Sequence, residues 1–221
     1  MDKNKVCVIM PAMNEEETIG RVVGELLKEK ILDDVIVIDD SSSDNTGKIA
    51  RQQGATVFRN MENKGYDKSL EIGFQKASEK NCNVVVTFDA DGQHKPKDLR
   101  KMLGPILNDQ GDIVVGIRPK KQRLAEKIYS IYSGFSIGIK DPLCGLKVYK
   151  SEVYKSVGYF DSCVSIGTEL MFKAYDKGYK ILQTEISIDK RRDEPRFGRI
   201  IISNYNIIRA MFKMMLRRVK R

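Results

Sequence analysis

Short runs of apolar, largely β-branched residues alternate along this chain with longer stretches whose apolar residues recur at helical spacing. Val6-Cys-Val-Ile-Met10, Val35-Ile-Val-Ile38, Ala55-Thr-Val-Phe58, Val84-Val-Val-Thr-Phe88 and Asp112-Ile-Val-Val-Gly116 read as strands. Pro11 ends the first. A helix is expected from Asn14 to about Lys30, with Glu15, Glu16 and Glu17 in its first turn, where the helix dipole favours acids. Asp44 or Thr46 caps a second helix that runs through Gln53 and closes at Gly54. Residues 67–80 and Pro96 to about Leu107 supply the next helices. This β–α alternation predicts an α/β fold, a doubly wound and mostly parallel central sheet with flanking helices.

The later part is less regular. A basic loop, Arg118-Pro-Lys-Lys-Gln-Arg123, leads into an expected helix from Leu124 to Ile137. Leu146-Lys-Val-Tyr149 reads as a strand, Gly167 to Lys177 as a helix stopped by Gly178, and Tyr179 to Ile188 as another strand. A loop rich in Arg and Gly spans 191–199. Residues 200–221 form an amphipathic helix with a basic end. The organisation expected is one domain over 1–199 with a C-terminal helical extension over 200–221.

With 221 residues, 41% of them hydrophobic, the chain can bury one sizeable core. No run approaches the ~20 apolar residues that span a bilayer. The N-terminus enters a strand directly and carries no signal-peptide pattern. Cys7, Cys82, Cys144 and Cys163 form no Cys-x-x-Cys pair, so reduced thiols and a cytoplasmic location are expected. The net charge of +9 is concentrated late: residues 187–221 hold eleven Lys and Arg against Asp189, Asp193 and Glu194. Such a balance suits anionic partners.

Candidate chemistry sits at strand ends. The run 84–88 delivers Asp89 and Asp91 to the C-terminal edge of the sheet, where open α/β sheets bind ligands. With Gln93 they offer only hard oxygen ligands, a set suited to Mg2+ or Mn2+ with a phosphate completing the shell. Asp39-Asp40 ends a second strand in the same way. Lys64 and Arg118 lie near other strand ends, so metal-binding acids and cations would converge as a pyrophosphate requires. There is no Gly-x-x-x-x-Gly-Lys-Ser/Thr loop and no Gly-x-Gly-x-x-Gly, which argues against NTPases and dinucleotide dehydrogenases. His94, the single histidine, reads as a loop residue bonded to backbone rather than as a catalytic base.

Pro11-Ala-Met-Asn-Glu-Glu16, Val37-Ile-Asp-Asp-Ser-Ser-Ser-Asp-Asn-Thr46, Asn63-Lys-Gly65 and Asp89-Ala-Asp-Gly-Gln-His94 resemble family 2 glycosyltransferases of the Rossmann-like GT-A type. Asp141-Pro-Leu-Cys-Gly145, Ile166-Gly-Thr-Glu169 and Arg196-Phe-Gly-Arg199 resemble the dolichol-phosphate mannose synthase and polyprenyl-phosphate branch. The resemblance implies a nucleotide diphosphate sugar donor such as GDP-mannose or a UDP-sugar, a divalent metal, and inversion at the anomeric carbon. It implies that Pro11, Met13, Glu15, Asp39, Lys64 and Ala90 bind the nucleotide sugar, with Asp89, Asp91 and Gln93 on the metal. Arg118 would contact donor phosphate; Arg123, Arg192 and Arg196 would hold acceptor or phosphate. Met13 stands where Tyr or Phe is usual, and Gly92 where Leu is usual. The branch implies a lipid-phosphate acceptor.

A lipid phosphate is already anionic and needs no base. A sugar hydroxyl needs one, and Asp141 and Glu169 are the candidates. The basic amphipathic tail suits peripheral contact with the cytoplasmic face of an anionic membrane, or packing on the core. A soluble enzyme acting on a glycan hydroxyl is the alternative. A nucleic-acid-binding module is disfavoured because the strand-tip acids repel a phosphate backbone and the tail has few aromatics. A nucleotidyltransferase would need a Gly-rich basic loop where Asn14-Glu-Glu-Glu17 is acidic.

Overall fold

The structure is a computed structural model and describes residues 4–120, 123–189 and 200–219. Seven strands form one sheet: β1 (Val6–Ala12), β2 (Asp34–Asp39), β3 (Thr56–Arg59), β4 (Val84–Thr87), β5 (Ile113–Ile117), β6 (Lys147–Lys150) and β7 (Ile181–Glu185). Their order is β3-β2-β1-β4-β6-β5-β7. All neighbours pair in parallel except β6, which lies antiparallel between β4 and β5.

The helices are α1 (Glu16–Leu27), α2 (Thr46–Gln52), α3 (Tyr66–Glu79), α4 (Leu99–Leu107), α5 (Leu124–Ile137), α6 (Ser151–Val157), α7 (Glu169–Asp176) and α8 (Ile200–Val219). A 3-10 turn at Pro96–Asp98 leads into α4. Side chains alternate across the sheet as strand geometry dictates. Cys7, Ile9, Ile36, Ile38 and Val85 join one core with Phe74, Phe172 and Met214. Val6, Val8, Met10, Val35 and Val37 join the other with Leu26 and Leu103. Both sheet faces are therefore covered, which is why the strands read as continuous apolar runs.

Several expectations change. Pro11 does not end β1. Pairing with β4 stops at Ile9, while pairing with β2 continues past Pro11, so a residue lacking N–H is tolerated there. Cys7 and Cys82 are not separate thiols but a disulfide, since β1 and the approach to β4 are neighbours in space. Cys144 and Cys163 are free and buried, as expected. Helix α6 was not foreseen, and α7 starts at Glu169 rather than Gly167. Neither Asp44 nor Thr46 is the N-cap of α2; Asn45 holds that position without a side-chain cap bond, and Asp44 before it accepts from the amide (2.9 Å) and hydroxyl (2.5 Å) of Thr46.

Helix α8 packs on the core through Ile207, Ala210, Met211 and Met214. Arg217 reaches the hydroxyl of Ser162 and the carboxylate of Glu169, and Arg218 bonds Asp176 at 2.7 Å. Among the described residues no helix is long and apolar enough to cross a membrane.

Candidate active site

A cleft of about 470 Å³ opens at the C-terminal ends of β1, β2 and β4. The apolar run of β4 is buried, so the first polar residues after it emerge at the sheet edge. Asp89, Ala90, Asp91 and Gln93 all line the cleft. The Asp89 carboxylate accepts a hydrogen bond from the Tyr66 hydroxyl (3.2 Å) and meets Nε2 of His94 at 3.0 Å. Burial works against the Asp89 charge, but the His94 contact, the Tyr66 hydroxyl and the nearby Lys147 cation outweigh it and hold the carboxyl below its ordinary value. The His94 side chain thus meets a carboxylate instead of backbone. Among the described residues its other ring nitrogen is buried without a partner. Asp91 accepts the Gln93 amide at 3.0 Å, which shapes the turn after the strand.

Carboxylates and an amide on one short turn make an all-oxygen donor set, and each bonded Asp89 oxygen retains a second lone pair. The residues present therefore fit a hard divalent cation. A second cluster, Asp161, Cys163 and Glu169, has ligand atoms within 4.8 Å of one another. It is committed to structure instead. Asp161 accepts the amides of Cys163, Val164 and Ser165; Glu169 accepts from Ser162 and Arg217. Burial pushes the Cys163 thiol up to about 12, which keeps it a neutral, poor ligand.

Pro11, Met13 and Glu15 line the opposite wall, where β1 hands over to α1. The Met13 sulfur accepts from the Asn63 amide at 3.1 Å, tying this wall to the Asn63-Lys64-Gly65 turn. Asp40 organises that turn: it accepts the Lys64 and Gly65 amides, each at 2.8 Å. Gly65 adopts φ +83°, which favours glycine. Asp40, Asn63 and Gly65 reach the cleft, whereas Lys64 and Asp39 are not on its wall. Asp39 is fully buried and bonded to Arg59 (3.1 Å) and to the Ser42 amide (3.0 Å).

The far wall carries the cations. Arg118 and Arg123 line the cleft. Arg118 is gripped by Asp141, which accepts its Nε at 2.8 Å, a terminal nitrogen at 2.9 Å and its backbone amide at 3.0 Å. Glu126 bonds both Arg118 (3.2 Å) and Arg123 (3.0 Å). Burial alone would weaken the Arg118 charge, but the two carboxylates raise its affinity for the proton. Asp141 and Glu169 are 0% exposed and do not line the cleft. Arg192 and Arg196 lie outside the described residues.

Sequence reasoning missed Tyr66, Glu126 and Lys147. Lys147 is 4% exposed, lines the cleft from β6, and donates to the carbonyl of Gly167 at 2.9 Å. Burial presses its ammonium below its ordinary value against the pull of Asp89 and Asp141. Its position two residues past Gly145 on an apolar strand was the available signal.

Glycosyl transferase family 2 matches residues 7–158 of this chain. A UDP-N-acetylglucosamine–dolichyl-phosphate N-acetylglucosaminyltransferase of Methanococcus voltae is 31% identical, over 68% of this chain and 71% of its own length. A polyprenol monophosphomannose synthase of Mycolicibacterium smegmatis is 27% identical, over 95% of this chain and 85% of its own. The crystal structure of glucosyl-3-phosphoglycerate synthase from Mycobacterium tuberculosis with Mn2+ and UDP-glucose superposes with a TM-score of 0.78 at 21% identity, covering 96% of this chain and 79% of that one. Fold, sequence and the strand-tip acids converge: the chain belongs to glycosyl transferase family 2 and is a glycosyltransferase of the GT-A fold.

Proposed function

We propose that this enzyme transfers a hexose from a nucleoside diphosphate sugar, GDP-mannose or a UDP-sugar, to a polyprenyl phosphate. Asp89, Asp91 and Gln93 would hold Mg2+ or Mn2+. The metal, when bound, neutralises charge on the departing nucleoside diphosphate. Pro11, Met13, Glu15 and Ala90 would bound the donor, with buried Asp39 and the Lys64 amide, bonded to Asp40, supporting that wall. Arg118, oriented by Asp141, would add electrostatic stabilisation as the leaving group departs. Arg123, Arg192 and Arg196 would hold acceptor phosphate. The relatives named for dolichyl and polyprenol acceptors support this reading.

One observation carries the choice of acceptor. Asp141 and Glu169, the base candidates for a hydroxyl acceptor, are fully buried and engaged with Arg118 and with Ser162 and Arg217. A phosphate is nucleophilic without a base, so their engagement favours it over a glycan hydroxyl. The enzyme would work at the cytoplasmic face of a membrane as a peripheral protein. The deciding experiment presents undecaprenyl and dolichyl phosphate beside free sugars as acceptors, with Mn2+ and each labelled nucleotide sugar. Transfer to sugars alone would refute the lipid acceptor. A Mn2+-dependent thermal-shift screen of GDP and UDP identifies the base.

A further inference from the structure

Lys147 is a buried charge in the cleft that the transfer proposed above leaves unused. Strand β6 carries it between β4 and β5, and its side chain is 4% exposed on the cleft wall. Burial works against the ammonium, and surrounding acids, Asp89, Asp141 and Asp67 among them, work for it. Its hydrogen-bond partner is a neutral group, the carbonyl of Gly167, at 2.9 Å. That carbonyl is itself held in place. Gly167 has φ +68°, and its amide is bonded to the Asp67 carboxylate. The ammonium is therefore fixed before any ligand arrives, as an electrostatic binding group must be.

The other cations on the cleft wall are already shared. Arg118 is paired with Asp141 and Glu126, and Arg123 with Glu126. Among the described residues of that wall, Lys147 is the cation without an ion pair. An ammonium carries three N–H donors, so two remain for a ligand. A desolvated charge in this state calls for an anion. The 161–167 loop decides which one. It gives Ile166 to the cleft and the Gly167 carbonyl to Lys147, but none of the groups assigned above to the donor. The metal turn and Arg118 answer the charge of the donor diphosphate. A phosphate acceptor entering beside Asp89 and Asp91 needs a cation of its own.

We propose that Lys147 binds the phosphate of the acceptor and selects it over an uncharged hydroxyl, an inference that rests on the lipid-phosphate reading. In the transfer, an oxygen of that phosphate donates a lone pair to the anomeric carbon. The bond from that carbon to the diphosphate breaks, and its electron pair leaves with the nucleoside diphosphate. No proton moves. Negative charge passes from the acceptor to the leaving group, so the hold of Lys147 is strongest before reaction. Its loss should therefore raise the acceptor KM and spare kcat.

The test uses the full chain with Mn2+, GDP-mannose or the UDP-sugar that turns over, and farnesyl phosphate as a short-chain, water-soluble acceptor. In Lys147→Met the KM for farnesyl phosphate should rise ~10–100-fold, the loss expected of a hydrogen bond to a charged group. The donor KM should hold. Calorimetric affinity for Mn2+ with nucleotide should be no weaker than in the wild type, since a cation near Asp89 opposes the metal. Lys147→Gln, which keeps an N–H for the Gly167 carbonyl, should show the same split, and it serves alone if the Met variant does not fold. An unmoved acceptor KM overturns the proposal. So does an equal rise in the donor KM, or weaker nucleotide binding, either of which assigns Lys147 to the donor. A wild type that ignores farnesyl phosphate and glycosylates free sugars defeats the lipid-phosphate reading together with the inference. A wild type that uses it, with variants that bind it normally, defeats the inference alone.

Discussion

The Asp89 carboxylate rests against the bare Cα of Gly145, in a space no β-carbon could share. Gly145 is fixed there because its carbonyl accepts the Thr87 hydroxyl at 2.6 Å, which pins the approach to β6 against the end of β4. Gly145→Ala should therefore push Asp89 off its Tyr66 and His94 contacts without unfolding the chain. With Asp89 as a metal ligand, Mn2+ affinity should fall ~10–100-fold, as when supporting contacts of a metal ligand are lost. Calorimetric titration of Mn2+ in the presence of nucleotide reads this directly. Wild-type affinity in the variant would remove Asp89 from the ligand set.

Asp91 faces the cleft from the same turn, which its side chain shapes by accepting the Gln93 amide. Asp91→Ala should leave the fold intact by circular dichroism. Turnover should drop by ~10³-fold or more, because a metal stabilises a departing diphosphate by several kcal/mol and each 1.36 kcal/mol is tenfold. Near-normal turnover at saturating Mn2+ would exclude Asp91 from the metal.

This acid pair was legible in the sequence because two local signals coincide there: a β-branched run stops and carboxylates begin. Lys147 was not. Its charge lies near Asp89 only because β6 inserts antiparallel between β4 and β5, an arrangement set by long-range pairing and absent from any local pattern. The Cys7–Cys82 pair escaped for the same reason, being defined by strand neighbours 75 residues apart in sequence. The helical period of α5 was plain, and its bounds were read as they stand. That its apolar residues divide between core and surface was not, since period alone does not say which face is covered.

Asp67 makes a pH-dependent contribution. Its carboxylate accepts the amides of Ile166 and Gly167, fastening the 161–167 loop to α3. Burial, reinforced by the Asp161 charge, pushes its carboxyl up from 3.8 to about 7. Between those values the folded chain holds a proton that the unfolded chain has released. The stability contributed is complete below about 3.8, falls as pH rises through the window, and is gone above about 7. The slope is at most about 1.4 kcal/mol per pH unit. Asp67→Asn should flatten it, so the variant gains on the wild type as pH rises towards 7. Parallel denaturation curves of the two proteins across this range would contradict the assignment.

Asp141 presents a sharper choice, because a base and a positioning group predict different couplings. Its three bonds to Arg118 make it a clamp on the cation that faces the cleft. A clamp acts only through what it holds. If Asp141 works this way, Asp141→Asn and Arg118→Ala should be strongly non-additive in kcat/KM, with a coupling of ~0.5–3 kcal/mol, and the double variant should be little worse than Arg118→Ala. Asparagine is the right replacement because alanine would strand a partly buried cation at a cost of about 3–5 kcal/mol and confuse folding with catalysis. If Asp141 instead takes a proton from the acceptor, its loss adds fully to that of Arg118. Only the hydroxyl-acceptor reaction would then suffer, since a phosphate acceptor has no proton to give. The cycle, run with a polyprenyl phosphate acceptor, thus tests the role of Asp141 as a clamp: additive losses, or no loss from Asp141→Asn alone, would count against it.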